Sequence, residues 1–306
     1  MRKFLIFGML ACLSLCMACT SPTPQVYGHG LKERLYSLID SVHGTVGIAF
    51  VSENDTVTVN NGVRYPMMSV FKLHQSLAVA DALERSGGTL DSIVLVTADE
   101  LDPHTWSPML KIYGMNDFDV SVGELVRHAL ISSDNNASNL LFRHIVSPTE
   151  TDRFIKSVAR DTTFSIRYSE RDMKHDHTLA YRNHTSPLSA AILIQQLFTS
   201  DLVGRDALDT IREALTTVTT GQDRLGVVLP AGQDILFAHK TGSGYRNGNG
   251  ELTAHNDVGY FRFPDGRDYA LAVFIRDFDG TEDEASRIIA RISKEVYDHF
   301  TNSAGN

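Results

Sequence analysis

Thiols are nearly missing from this chain. Its three cysteines, Cys12, Cys16 and Cys19, all fall in the first 19 residues. The rest of the chain therefore has no pair from which a disulfide framework could be built. Long apolar runs are lacking too: Phe4 to Cys16 is the clearest one, and it is shorter than the roughly 20 residues a membrane-spanning helix needs. No Lys/Arg cluster relieves an acidic balance of 37 Asp and Glu against 28 Lys and Arg, a net charge of −9. That balance argues against nucleic acid and against an anionic membrane face as partners. Internal repeats are absent, and tryptophan occurs once, at Trp106. What remains is ordinary for a folded, water-exposed protein: 42% apolar and 21% charged residues, which excludes a disordered, collagenous or coiled-coil chain.

The N-terminus reads as an export signal. Met1-Arg2-Lys3 supplies the positive start, an apolar run follows, and small residues close it near Ala18. Removing residues 1–18 takes away Arg2 and Lys3 and no acidic residue, so the net charge falls from −9 to −11. Cys19 fits two readings, a lipidated first residue or a bystander beside a simple cleavage site, because Cys16 is an imperfect match to a lipoprotein signal. Residues 19–27, rich in Thr, Ser and Pro, read as an extended tether. The expected location is the periplasm, as a monomer that is free or lipid-anchored.

Further on, the hydrophobic period changes twice. Leu31, Leu35 and Leu38 have helical spacing; Thr45 to Val51 and Thr56 to Val59 read as strands. A long helix is expected from about Met67 to Arg85, stopped by Gly87-Gly88. Capping signals open further helices at Ser121-Val-Gly-Glu124, at Asn135 and at Thr149-Glu-Thr-Asp152. Residues 168–186 lack periodicity and read as a long surface loop. The end returns to strands: Ile235 to Ala238, then Asp257 to Phe263 and Tyr269 to Ile275 about the turn Pro264-Asp265-Gly266-Arg267. Thr281-Glu-Asp-Glu284 caps a last helix to about Phe300. Two strands first and three last imply one sheet built from both chain ends. The expected fold class is α/β (of α+β type): an antiparallel five-stranded sheet flanked by helices, with an inserted all-helical lobe. The α/β lobe would comprise 28–65 and 205–306, and the helical lobe 66–204.

Three short motifs stand out. Ser69-Val70-Phe71-Lys72 puts an amine one helical turn from a hydroxyl, near a helix start. A serine needs such a neighbour to become a nucleophile, and a helix N-terminus can steady an oxyanion. Taken alone, it equally describes a solvated lysine. Ser133-Asp134-Asn135 lies in a turn between helices, where a plain cap is the simpler explanation. Lys240-Thr241-Gly242-Ser243-Gly244 ends a strand, where glycines permit close approach of a ligand and Lys240 with Thr241 could hold an anion.

Together, in this order and on these elements, the motifs resemble those of class A serine β-lactamases and penicillin-binding proteins. The resemblance to class A covers essentially the whole mature chain and implies a β-lactamase/transpeptidase-like fold. It implies that Ser69 is the acylated nucleophile, Lys72 its proton partner, and Ser133 the proton relay to the β-lactam nitrogen. Asn135 would hold the acyl side-chain amide, while Lys240 and Thr241 would meet the substrate carboxylate. Backbone N–H groups of Ser69 and Ser243 would form the oxyanion hole. Trp106 falls where the family has an aromatic wall, though a core aromatic would look the same. Glu170, 37 residues after Ser133, resembles the Ω-loop glutamate whose carboxylate activates the deacylating water.

Departures from the family pattern are as informative. Lys174 stands where an asparagine usually helps hold that water. A solvated lysine is the favoured reading; pairing with Asp172 or Asp176, or proximity to Glu170, are the alternatives. Tyr168 and Asn183 replace the usual Arg–Asp bridge at the loop neck. Asn256 replaces the usual strand arginine, and Arg224 lies where some members carry a substitute. These changes resemble the cephalosporin-preferring branch with a rebuilt Ω loop. His175-Asp176-His177 offers no third ligand for a catalytic zinc, so no metal and no cofactor are expected. The substrate would be a small β-lactam, cephalosporins and penicillins among them. The rival readings are a DD-peptidase acting on peptidoglycan, against which Glu170 speaks, and a β-lactam-binding sensor, which would carry transmembrane segments.

Overall fold

A computed structural model describes residues 30–302; the expected export signal, the tether and Cys19 lie outside the described residues. Helix α1 (Leu31–Ile39) leads into the hairpin β1 (Thr45–Ser52) and β2 (Thr56–Val59), then the two-residue β3 (Tyr65–Pro66) and the long α2 (Phe71–Ser86). Next come β4 (Ile93–Val96), α3 (Leu110–Tyr113), β5 (Phe118–Ser121), α4 (Val122–Ile131), α5 (Asn135–His144) and α6 (Pro148–Val158). After them follow β6 (Phe164–Ser165), α7 (Glu170–His175), β7 (His184–Thr185), α8 (Pro187–Thr199) and α9 (Arg205–Thr216). The chain closes with β8 (Leu236–Ser243), β9 (His255–Arg262), β10 (Asp268–Arg276) and α10 (Glu282–Asn302).

The main sheet is antiparallel throughout, in the order β2-β1-β10-β9-β8. It is the five-stranded sheet expected from the two chain ends. Alternation along the strands sorts their side chains onto two faces. Val46, Ile48 and Phe50 of β1, with Tyr269, Leu271, Val273 and Ile275 of β10, pack under α1 and α10. The opposite face carries Ala49, Ala270, Ala272 and Phe274 and joins the core of the helical lobe. Three alanines there let α8 lie close to β1 and β10. Helix α8 is apolar nearly all round, because it has the sheet on one side and helices on the other.

Helix α2 is the axis of the helical lobe and is buried along most of its length. It ends where expected: Gly87 takes φ 75°, and the N–H groups of Gly87 and Gly88 reach back to the Glu84 and Leu83 carbonyls. Its start differs. The segment begins with a 3-10 turn, Met68–Val70, and becomes α-helical only at Phe71. Helix α6 opens at Ser147 rather than Thr149, since Ser147 and Glu150 cap each other and Pro148 occupies the first helical position. The 168–186 segment is not structureless: it holds α7, a 3-10 turn (His177–Arg182) and β7, each too short to leave a hydrophobic period. Two small sheets, β4-β5 and β3-β7-β6, were not expected from the sequence. Helix α8 lies on the sheet, whereas Leu208, Ile211 and Leu215 of α9 join the core around α2 and α4.

Candidate active site

Ser69 sits in the tight turn between β3 and α2, and that turn is strained and clamped. Met68 just before it has φ 46°, a region uncommon for a residue with a side chain. Asn256 of β9 holds it there: its Nδ2 donates to the Pro66 carbonyl (2.8 Å) and to the Met67 carbonyl (3.2 Å). Gly242 of β8 passes so close that a Cβ would collide with the Met67 carbonyl oxygen.

One turn on, Lys72 is fully buried, and its ammonium has four oxygens within 3.0 Å, three as hydrogen-bond acceptors and Glu170 Oε1 as its ion-pair partner. The four are Ser69 Oγ (3.0 Å), the Ser133 carbonyl (2.8 Å), Asn135 Oδ1 (2.7 Å) and Glu170 Oε1 (3.0 Å). Burial lowers its pKa from the ordinary lysine value, against the opposing pull of the Glu170 charge. The Ser69 hydroxyl in turn donates to Glu170 Oε1 at 3.0 Å.

The turn between α4 and α5 does double duty. Ser133 has φ 58°, which directs its carbonyl at Lys72 and its hydroxyl at Lys240 Nζ, a donor 3.0 Å away. Asp134 caps α5 through the Ala137 N–H and also accepts from Ser107 and Met109. The middle residue of the motif is thus a cap, and the residues on either side face the site. Asn135 donates from Nδ2 to Thr105 Oγ1 at 2.9 Å. Lys240 is also fully buried; burial first, and the nearby Lys72 charge second, hold its pKa well below the ordinary value.

Glu170 opens α7, whose cap is Ser169 reciprocated by Asp172. The loop that carries it is closed at its neck by Asn183. That side chain accepts from the Arg167 and Tyr168 N–H groups (2.8 and 3.1 Å) and donates to the Tyr168 carbonyl (2.7 Å). The Asn183 carbonyl accepts from Met67 N, tying the neck to the turn before Ser69. Farther along, His177 stacks on Tyr245 with ring centroids 3.7 Å apart, and Tyr181 donates to Asp277.

These groups surround one cavity of about 550 Å³, and Ser69, Ser133, Asn135, Glu170, Thr241 and Ser243 are among the residues that line it. That size suits a small molecule. Arg224 lies in the wall, buried, donating to the Asn256 carbonyl (2.7 Å) and to Ser243 Oγ (2.8 Å). Trp106 stands on the rim, 60% exposed, its indole N–H bonded to the Ser132 carbonyl. It is not a core aromatic.

The model of a family described as the beta-lactamase enzyme family matches residues 30–300. The chain belongs to this family. A beta-lactamase of Phocaeicola vulgatus is 44% identical over 268 residues, 87% of this chain and 84% of its own. The extended-spectrum beta-lactamase PER-1 of Pseudomonas aeruginosa is 31% identical, over 87% of this chain and 86% of its own. Among solved structures, the TLA-3 extended-spectrum beta-lactamase superposes with a TM-score of 0.84 at 30% identity, covering 88% of this chain and 98% of that one. A class A beta-lactamase from Bacteroides cellulosilyticus gives 0.83 at 31%, covering 89% and 97%. The protein is thus a class A serine β-lactamase, an enzyme that hydrolyses β-lactams.

Around the β-lactamase site, sequence reasoning missed several supporting residues. Asn256, noted only as a departure from the family pattern, holds the Ser69 turn, and Thr105 orients Asn135, whereas at the neck the two residues expected there do meet, the Asn183 side chain bonding the Tyr168 backbone. Lys174 is a correction. It is part-exposed rather than free in solvent, and it pairs with neither Asp172 nor Asp176; its ammonium bonds Asp102 at 2.6 Å. Asp172 is engaged with Ser169, and Asp176 caps the next turn through Thr178. The helical i,i+4 spacing meanwhile turns Lys174 to the same side as Glu170. The only signal for this pair was an unassigned aspartate 72 residues away, which spacing could not single out.

Proposed function

We propose that the β-lactamase works through an acyl-enzyme on Ser69 that water, activated by Glu170, then hydrolyses. One observation carries this reading: Ser69 Oγ lies 3.0 Å from both Lys72 Nζ and Glu170 Oε1. As Ser69 attacks the β-lactam carbonyl, its proton passes to the hydrogen-bonded Glu170–Lys72 pair. It makes up the proton that Ser133 delivers to the leaving nitrogen, with Lys240 steadying the Ser133 oxygen. The oxyanion is met by the N–H groups of Ser69 and Ser243. The substrate carboxylate is met by Lys240, Thr241 and Ser243, with Arg224 adding charge behind Ser243. Asn135 has a second N–H on Nδ2 for the acyl side-chain amide, and Trp106 walls the entrance. In the second stage water attacks the ester, gives its proton to Glu170, and Ser69 leaves and is reprotonated.

Cephalosporins and penicillins are the proposed substrates, as the likeness to extended-spectrum enzymes supports. The DD-peptidase and sensor readings both lack a use for Glu170 beside Ser69. Intact-mass spectrometry decides. Ser69→Ala should take up no penicillin, whereas Glu170→Ala should trap the Ser69 ester, with turnover lower by about 10²–10⁴, the range of a general base. Wild-type turnover by Glu170→Ala with no trapped ester would overturn the deacylation step. We further propose a two-lobed periplasmic monomer, exported by residues 1–18 and anchored through Cys19. No helix among the described residues is long and apolar enough to cross a membrane. The mass and elution volume of the mature protein test the anchor and the monomer.

A further inference from the structure

The guanidinium of Arg224 has two acceptors, the Asn256 carbonyl and Ser243 Oγ, and neither carries a charge. Among the described residues, no carboxylate lies within ion-pair distance of it. A cation buried in this way is costly unless opposite charge stands close by. The sheet supplies that charge from Asp257 of β9. Asp257 faces Thr241 across the β8–β9 ladder, and His239 lies two residues before Thr241. Alternation along the strands therefore puts His239, Thr241, Ser243 and Asp257 on one face of the sheet, where Arg224 meets Ser243. Among the charges that oppose the effect of burial on Arg224, Asp257 comes first, ahead of Asp223 and Glu282.

Asp257 also fixes the main chain beside Arg224. Its carboxylate is fully buried and, when ionised, can only accept. It accepts from His239 Nδ1, 2.9 Å from Oδ1 and 3.1 Å from Oδ2, and from the Leu225 N–H, 3.2 Å from Oδ2. The Leu225 carbonyl accepts from Ser293 Oγ of α10 at 2.8 Å. The Arg224 N–H closes a turn onto the Gly221 carbonyl at 3.0 Å. The backbone at Arg224 is thus pinned from the sheet and from α10. A direct ion pair would occupy the guanidinium fork. A counter-charge that acts without contact balances the cation and leaves its fork to Asn256 and Ser243.

We propose that Asp257, oriented by His239, is a positioning residue for Arg224, holding its charge where the substrate carboxylate binds. The proposal rests on the reading above in which Arg224 adds charge at that carboxylate. Its test follows kcat/KM for a cephalosporin and for the methyl ester of its carboxylate, in one preparation of each variant. The acid-to-ester ratio cancels any loss of folded enzyme. Asp257→Asn keeps an acceptor for the Leu225 N–H and removes the charge; His239→Gln spares the charge and removes the imidazole that orients it. Asp257→Asn should lower kcat/KM for the acid by about threefold to tenfold, a part of what a charge-assisted bond contributes, and leave the ester unchanged. His239→Gln should lower the ratio by about twofold to threefold. In an Arg224→Ala background either change should cost nothing more, because both act through Arg224. The cycle on the acid alone decides where the ester is too slow to read, and His239→Gln stands in where Asp257→Asn does not fold. An unchanged ratio overturns the proposal. So does an equal loss on acid and ester, or a loss that persists without Arg224, since a purely structural residue would give either. An acid-to-ester ratio that Arg224→Ala itself leaves unchanged overturns the reading of Arg224 instead.

Discussion

Arg224 is a single buried charge with an architectural task, and a part in substrate recognition is proposed for it. Burial lowers its pKa, opposed by the charges of Asp257, Asp223 and Glu282, yet an arginine stays protonated under any working condition. Its two Nη atoms are committed to the Asn256 carbonyl and Ser243 Oγ, so it holds the residue that holds the Ser69 turn. A charge-assisted hydrogen bond is worth about 1.5–3 kcal/mol. Arg224→Ala should therefore lower kcat/KM by roughly 10- to 150-fold. Arg224→Lys should not restore it, because a single ammonium lacks the planar fork whose two separate Nη atoms meet the Asn256 carbonyl and Ser243 Oγ. Unchanged kcat/KM in Arg224→Ala would place its charge outside substrate recognition. Lys174 gives the complementary lesson. Its type and position were visible, but its partner was not, since nothing local distinguishes Asp102 from Asp172 or Asp176.

At the scale of elements, the 168–186 segment behaves as a built part rather than a strand of loose chain. Two short helical turns, each capped by its own Ser or Asp, are joined to the body at Asn183, His177 and Tyr181. The buried Asn183 amide satisfies two N–H groups and one carbonyl at the neck. Removing it leaves them without partners, at about 1–3 kcal/mol for a buried group. Asn183→Ala should lose roughly 2 kcal/mol in urea unfolding on the same basis. It should also trap more Ser69 ester under turnover, because α7 carries Glu170. Normal stability with free turnover would show that the neck is held elsewhere. The longer elements were legible because capping residues and periodicity are local: Ser121 with Glu124, Thr281 with Glu284, and Gly87 all act where expected. The short strands β3, β6 and β7 carry too few residues for a period and exist only as partners of one another.

The whole molecule carries buried histidines whose titration belongs to the fold. Burial pushes His74 of α2 down to about 4, against the pull of the Val70 carbonyl and the Asp152 charge. His255 of β9 is pushed down to about 3 by burial and then by Arg224. Both are bases held neutral in the folded state, with an ordinary value of 6.5 when unfolded. Between 6.5 and the folded values the unfolded chain binds more protons, so stability falls as pH falls through that window. From pH 7 to pH 5, each contributes a loss of about 2 kcal/mol. Urea unfolding at the two pH values should show a smaller acid loss in His74→Leu than in the wild type, by about that amount. Parallel behaviour of the two proteins would mean that His74 is protonated in the fold.

The two chain-end strand sets, the long buried helix, the capped helices and the three motifs were all readable from order, spacing and residue type. These features are encoded by contacts within a few residues, where helix and strand periods link sequence to geometry. The active site joins groups that no period connects. Ser69 meets Glu170 across 101 residues, Lys240 meets Ser133 across 107, and Asn256 meets Pro66 across 190. Those meetings were decided only when the sheet closed from both chain ends and the helical lobe packed onto its alanine-lined face. Burial then did what composition could not, stripping water from Lys72 and Lys240 and lowering the pKa of each amine.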